Sequence, residues 1–309
     1  MLFLLLLTAC APAQKQFSFA YITNQGDDTV SVIDIKQNKV VSTIKVGKAP
    51  VGVAVSAKLQ RAFISNVESN NISVINTQNN TVIESIALQG APVGLAIAAN
   101  HNTLYVADWF SDRIIAIDTA DYSKRREVIV AKAPAGLVVS SDSKTLYAAV
   151  RDSNEVAVID TNTFTITQRI KVGTHPFGLS LGTNGMLYVV NVYDNTVSVI
   201  NTKTWQQNTI KVGEHPYCAV ASVDNKTLYV TNTQDDTVSV IDVTTQKTIA
   251  LIDVGMTPEG ISIDHASKRV LVANWGDNNV SVIEANTNKR INNINTGDKS
   301  RAFGEFILQ

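Results

Sequence analysis

The sequence predicts an all-β chain: a seven-bladed β-propeller of four-stranded antiparallel blades, closed by a C-terminal strand that completes the N-terminal blade. Three observations carry this prediction. The residue ending an apolar, β-prone stretch recurs as Asn24, Asn66, Asp108, Val150, Asn191, Asn232 and Asn274, at spacings of 42, 42, 42, 41, 41 and 42. A corner proline gives a second ruler, Pro50, Pro92, Pro134, Pro176, Pro216 and Pro258, with Ser300 in the seventh place, at spacings of 42, 42, 42, 40, 42 and 42. Each unit also holds short β-prone segments separated by turn residues. A period in the low forties built from short strands is that of a propeller blade, whose lone sheet cannot bury both faces and stacks on its neighbours around an axis.

The first unit shows the four strands in order. Residues 20–24 are apolar and β-prone, residues 25–28 supply turn chemistry, and residues 29–34 alternate β-branched with small side chains. A second turn at residues 36–39 leads to a third strand at 40–46. Gly47-x-x-Pro50 then turns the chain into residues 52–56, which open the next unit. The aligned openings at 94–98 and 178–181 are rich in small residues, which suits the innermost strand, where wedge-shaped blades converge. The strand ending at Val46 carries Lys45, and its counterparts carry Lys171 and Lys211. Charge there is ordinary protection of an outer edge against pairing with another chain. No inner-strand segment precedes residue 17, whereas residues 302–307 form one left over, so that strand is expected to close the ring.

Composition limits the choices further. A length of 309 residues alone suggests two domains, but a closed ring of repeats is one unit. Hydrophobic residues at 45% and charged residues at 17% suit a folded domain with a large buried area. The formal net charge of −1 provides no global field toward nucleic acid or an anionic membrane. The one basic run, Lys124-Arg125-Arg126, precedes an outer strand and reads as solvated surface.

Residues 2–7 form an apolar core far shorter than the roughly 20 residues a membrane-spanning helix needs. It runs into Leu7-Thr8-Ala9-Cys10, which resembles a bacterial lipobox, although no Lys or Arg lies upstream. The resemblance implies cleavage before Cys10 and a diacylglycerol on its thiol, and Ala11 in place of Asp implies sorting to the outer membrane. The expected organisation is a signal segment at 1–9, a lipidated tether at 10–16 and a single propeller at 17–309, anchored in the cell envelope facing the periplasm. Cys218 is then the remaining cysteine, aligned with Gly52, Gly94, Gly136, Gly178 and Gly260. It reads as a small buried thiol, with no disulfide expected.

Tyr21-Ile22-Thr23-Asn24, Tyr188-Val189-Val190-Asn191 and Tyr229-Val230-Thr231-Asn232, with Val30-Ser31-Val32-Ile33-Asp34 and Val238-Ser239-Val240-Ile241-Asp242, resemble the YVTN-repeat β-propeller family over residues 18–309. That resemblance implies the propeller fold. For activity it implies little, because the family includes surface proteins, periplasmic proteins and proteins associated with quinone-dependent oxidation. Related seven-bladed folds include lactonases and propeller subunits of amine dehydrogenases and nitrite reductases. Kinship of fold does not assign function.

A site is expected where the repeats stop agreeing. The corner before each inner strand and the turn after the next strand lie on one face, around the channel mouth. The residue before the corner proline runs Ala49, Ala91, Ala133, His175, His215, Thr257, Lys299, and the one after it Val51, Val93, Ala135, Phe177, Tyr217, Glu259, Arg301. One side of the rim is thus small and apolar, while the other carries histidines, aromatics and an acid-base pair. The turns add Trp109-Phe110, Arg151-Asp152, Tyr193-Asp194 and Trp275. The candidate ligand-binding set is therefore His175, Phe177, His215, Tyr217, Glu259, Arg301, Trp109, Tyr193, Trp275 and Arg151. Turn acids such as Asp27, Asp112 and Asp235 are expected to bind backbone rather than calcium.

No Cys-x-x-Cys-His, Gly-x-Ser-x-Gly, His-Glu-x-x-His or phosphate-loop motif is present, and no cofactor or metal is expected. Of four histidines, His101 and His265 fall in expected outer turns, which leaves His175 and His215. Three readings remain. The first is an envelope binding or scaffold protein, a monomer, holding an unidentified protein, peptide or small ligand at the mouth. The second is a lactonase- or lyase-type enzyme using His175, His215 and Glu259. The third is an accessory docking subunit of a periplasmic quinone or cytochrome redox system. The first is preferred. Nucleic acid is not an expected partner, because no basic groove accompanies Trp109, Trp275 and Tyr217. Convergence of His175, His215 and Glu259 at metal-bonding distance would favour the enzyme, whereas a dry rim closed by the Glu259 and Arg301 pair would remove the mouth hypothesis.

Overall fold

The computed structural model describes residues 18–309, so the expected signal segment, Cys10 and the tether lie outside the described residues. Seven sheets follow one another around a ring, each with four antiparallel strands; the first takes its inner strand from the C-terminal end, and the second gains a fifth, parallel strand from the same segment. The first blade contains Phe19–Asn24, Thr29–Asp34 and Lys39–Lys45, and Pro50–Ser56 opens the second as its inner strand. Inner strands begin at the corner proline, two residues before the start the sequence suggests. Proline is tolerated there because it occupies the first strand position. Pro50 pairs with Asn66, and a one-residue bulge follows before Val53 pairs with Ile64.

Each blade buries both faces against its neighbours. Ile22, Val30 and Val32 of the first blade share one core with Ala62 and Ile64 of the second and with Val280 and Val282 of the last. Outer strands bury little, and Lys45, Lys171 and Lys211 are exposed on them as the edge-protection argument requires. The basic run is exposed too, yet its arginines tie blades together. Arg125 donates to the Ala87 carbonyl at 2.8 Å, and Arg126 to the Thr161 carbonyl at 2.9 Å.

The repeated Tyr-Val-Thr-Asn stretch divides its labour by residue. The Tyr21 hydroxyl donates to Asn80 of the next blade at 2.9 Å, and that of Tyr229 to Asn288 at 3.1 Å. The Thr23 hydroxyl accepts the Ala302 N–H at 2.8 Å and donates to the Val51 carbonyl at 3.1 Å, thereby bridging two inner strands. Thr231 does the same between Cys218 and Glu259. Asn232 clamps its own hairpin, donating to Thr237 and Ser239, both at 2.9 Å. The corner glycine belongs to the same device: a Cβ on Gly47 would lie 2.7 Å from Asn66 Cγ. Where the asparagine is lost, ions replace the amide. Asp108 pairs with Arg113 at 3.0 Å, and beside Val150 the buried Glu155 pairs with Arg169 and Lys171.

Ring closure follows the predicted exchange with one departure. Ile307–Leu308 pairs antiparallel with Phe19 and Ala20, completing the first blade. Between the Asn24–Ser300 bridge and the Ala20–Ile307 pair, however, the C-terminal segment advances seven residues while its partner advances four. The excess is three, against one at the Pro50 bulge. The surplus is taken up as Phe303–Glu305 swings across to run parallel with Gly52–Ala54 of the second blade. Gly304 makes the detour possible at a φ of 118°, a region closed to side chains.

Candidate functional site

Corners and second-strand turns do share a face. The Val192 N–H donates to the His175 carbonyl at 3.1 Å and the Thr233 N–H to the His215 carbonyl at 3.0 Å, which sets each corner residue beside its turn. His175 and His215 take left-handed backbone, with φ of 54° and 49°, but so do Ala49 and Ala133 at 51° and 57°. That strain belongs to the repeat rather than to chemistry. It is held by turn side chains: Asn154 and Asn195 accept the His175 and His215 N–H at 3.0 and 2.9 Å. Asp27, Asp112 and Asp235 likewise accept backbone N–H groups, from Asp298, Ala133 and Glu214, at 2.7, 2.9 and 2.7 Å.

The mouth residues separate into two groups. The outer group begins with Arg151, whose guanidinium lies 4.3 Å above Trp109 and pairs with Asp152 at 2.7 Å. His175 Nε2 is 3.5 Å from Asp152 Oδ1, and its ring stacks on Tyr193 at 4.1 Å. The other side of this group is His215, whose ring meets Tyr193 at 5.5 Å and whose buried Nδ1 has no hydrogen-bond partner among the described residues. Among the described residues, no three His, Cys, Asp or Glu side chains converge to hold a metal ion. Tyr193 is 57% exposed, and Phe110, in the turn beside Trp109, is 79% exposed.

The inner group closes the channel. Phe177 packs against Trp109, Tyr217 and Phe303, with centroids at 5.8, 4.3 and 4.8 Å. Behind this plug Glu259 pairs with Arg301 at 2.6 Å. Arg301 also donates to the Tyr217 hydroxyl at 2.7 Å and to Gln25 at 3.1 Å, and Trp275 donates to the same Gln25 oxygen at 3.2 Å. Burial pushes the Glu259 carboxyl above its usual range, with Arg301 opposing the shift, and burial likewise raises Tyr217. These groups are committed to one another. The Glu259–Arg301 pair anticipated as an argument against a binding mouth is therefore present, and the outer group is what stays exposed around it.

The hollow of the channel lies on the other side of the plug. It encloses about 250 Å³ and is lined by the inner strands together with Ser180, Ser262, His265, Phe303 and Glu305. Of the mouth residues expected from the sequence, none lines it. His265, assigned to an outer turn, instead follows the inner strand Pro258–Asp264 and reaches the cavity at the face opposite the corners. His101 occupies the equivalent turn after Pro92–Ile97, where its Nδ1 is bonded to Ser56 at 2.8 Å. Cys218 is free and buried, and burial raises its thiol well above the usual range. The signal for Glu305 was the run Phe303-Gly304-Glu305-Phe306, large and charged where other inner strands are small.

Solved structures similar to this chain share the architecture. Hydrazine synthase from Kuenenia stuttgartiensis superimposes with a TM-score of 0.77 at 20% identity, covering 85% of this chain and 91% of that one. A functionally unknown protein from Desulfotomaculum acetoxidans reaches 0.79 at 14% identity, covering 94% and 100%. The dihydro-heme d1 dehydrogenase NirN, in complex with DHE, reaches 0.70 at 12% identity, covering 94% and 74%. At these identities the likeness is one of fold. No curated protein matches the chain in sequence. The family model for the YNCE-like beta-propeller matches residues 123–307, more than half of the 309-residue chain. With its seven stacked blades, the chain belongs to the YNCE-like beta-propeller family.

Proposed function

We propose that this propeller is a cell-envelope docking protein of YVTN-repeat type, tethered through a lipid on Cys10, that holds a protein or peptide on the outer rim of its mouth. One observation carries the reading: the rim displays Phe110 and Tyr193 to solvent beside Trp109, Arg151 and His175, while Phe177, Tyr217 and Phe303 bar entry behind them. Exposed aromatics flanked by arginine are what protein interfaces concentrate at their centres. A small ligand has no depth there to be enclosed. The names of two structural neighbours, a hydrazine synthase and a dihydro-heme d1 dehydrogenase, favour a redox enzyme as the partner, giving an accessory docking role.

The test is affinity capture from envelope extracts with the native chain and with a Phe110→Ala/Tyr193→Ala variant. A defined protein retained by the first and lost from the second is the expected outcome. If both retain the same set, the rim is not the docking surface. Metabolic labelling with a fatty acid, compared with Cys10→Ala, checks the anchor separately; an unlabelled native chain would remove it.

A further inference from the structure

We propose that the face opposite the mouth is a docking surface for a bilayer bearing anionic phosphate headgroups, and that it holds the propeller with its aromatic rim turned toward the water. The inference takes from the envelope reading only that a membrane is at hand; it does not require the lipid on Cys10.

The formal net charge of −1 conceals a division between the two faces. Among the described residues, the segments joining strands at the mouth carry eleven carboxylates and five basic side chains, whereas those at the far face carry three and seven. Adding the strand-terminal residues beside them changes neither sign. The molecule is therefore a dipole along its channel axis, negative at the mouth and positive behind.

The positive end is barest where the chain enters the ring. Ser18 lies on this face, since its carbonyl accepts the Ile35 N–H at 3.2 Å and Phe19 pairs with Asp34 beside the turn at 35–38. Whatever precedes Ser18 leaves from here. Around it, on the first, second and last blades, stand Lys36, Lys39, Lys58, Lys268 and Lys289. All five are exposed, and none of their ammonium groups has a hydrogen bond or ion pair among the described residues, unlike Lys124, which pairs with Asp121 at 3.5 Å. The neighbouring arginines are already used: Arg61 donates to the Gln60 carbonyl at 3.0 Å and Arg269 to Asn38 at 3.1 Å. Of the carboxylates at this end of the three blades, Asp34 and Asp264 are buried and accept from the Gln37 N–H and the Ser18 hydroxyl at 2.9 and 3.1 Å. Glu284 is half-buried, and Glu305 faces the cavity.

This arrangement selects a surface rather than a strand of nucleic acid. The turns beside these lysines, 35–38, 57–60, 265–268 and 285–288, hold no Phe, Tyr or Trp on which a base could stack. Clusters of about four to eight basic residues close to a bilayer are enough to draw anionic headgroups. The acids of the mouth do not cancel the attraction. Strands of six residues at roughly 3.3 Å each hold the faces about 20 Å apart, twice the screening length of about 10 Å in 0.1 M salt.

Cosedimentation with vesicles tests the assignment, using the chain with Cys10→Ala so that no acyl chain contributes. Vesicles of equal parts phosphatidylcholine and phosphatidylglycerol should retain the protein, pure phosphatidylcholine should not, and added sodium chloride should release it. In the same background, Lys36→Glu/Lys58→Glu/Lys268→Glu should weaken retention at least tenfold. Lys48→Glu/Lys132→Glu/Lys211→Glu, an equal change in net charge at the mouth end, should alter it less than twofold. Equal retention by phosphatidylcholine, indifference to salt, or equal loss in the two triple variants would each overturn the inference. Tighter binding of a single-stranded oligonucleotide than of the mixed vesicles would overturn it in favour of nucleic acid. Fatty-acid labelling reads the anchor separately: a chain that labels yet is not retained without its lipid overturns this inference alone, and one that is retained yet does not label overturns the anchor alone.

Discussion

The two ends of the central channel are made by the same strands and differ in almost everything else. At the mouth, three aromatic rings and the Glu259–Arg301 pair fill the axis and satisfy one another. At the far end the axis is hollow, and Glu305 stands in it without a partner among the described residues. The mouth departs from the repeat by substitution, position for position, in a register the other blades share. The far end departs by insertion: a surplus in the closing strand carries Glu305 to the cavity. Substitution within a repeat therefore built a closed, mutually paired cluster here, while insertion opened a new position that the repeat does not possess.

The contrast can be broken most severely at the strand common to both ends. Removing residues 302–309 takes away buried Phe303, Phe306 and Ile307 and leaves the first blade without its inner strand. The expected loss exceeds about 5 kcal/mol, enough to abolish a cooperative thermal transition. An unchanged melting temperature would sink the closure itself.

Next in size is Arg301→Ala, which leaves Glu259 buried and uncompensated. A loss of about 3–5 kcal/mol is expected, largely recovered when Glu259→Leu is added, and a denaturant-based double-mutant cycle measures both. Asn232→Ala comes third: two buried hydrogen bonds to Thr237 and Ser239 disappear, for about 1–3 kcal/mol by the same measurement. A loss as large as that of Arg301→Ala would place the rigidity of the mouth in the hairpin clamps rather than in the plug.

The far end is sharpened by pH. A carboxyl whose folded pKa is raised holds its proton more tightly in the folded state, so its contribution is present at low pH and is lost as pH rises through the folded pKa. Glu305 and Glu259 are both raised from 4.5 by burial. The melting temperature of Glu305→Gln should therefore gain on that of the native chain as pH climbs from below 4.5 toward neutrality. His265 and Cys218, the other titratable groups lining the cavity, are common to both proteins. A constant difference would mean that Glu305 is not held in a desolvated place. The smallest effect belongs to Tyr193→Ala, within about 0.5 kcal/mol, because that ring is mostly in solvent. A larger loss would make the rim part of the structural plug.

The ring and its closure were legible because two independent rulers ran through the whole sequence, and corner and turn positions correctly predicted which side chains share a face. Illegible was the depth of each side chain along the axis. Phe177 and Tyr193 sit at comparable distances from a corner, yet the first meets Phe303 across the channel while the second points to solvent. Such approaches depend on strands far apart in sequence. Glu305 was hidden for a related reason: its position follows from parallel pairing with Gly52–Ala54, a contact that no local pattern announces. The ion pairs that replace asparagine at Asp108 and Glu155 were within reach, since Arg113 lies five residues after Asp108 as Thr237 does after Asn232.

The Ala20–Ile307 pairing also governs when the protein can become itself. Synthesis proceeds from the N-terminus, so the opening blade waits, one edge unmatched, until the seventh blade has been made. Blades two to seven can each assemble their four antiparallel strands from contiguous residues as they emerge, but the circle cannot shut before the last strand arrives. Closure of the ring is thus timed by Ile307 and Leu308, and a chain that stalls before them would leave a nearly complete stack whose unpaired edge invites a neighbour.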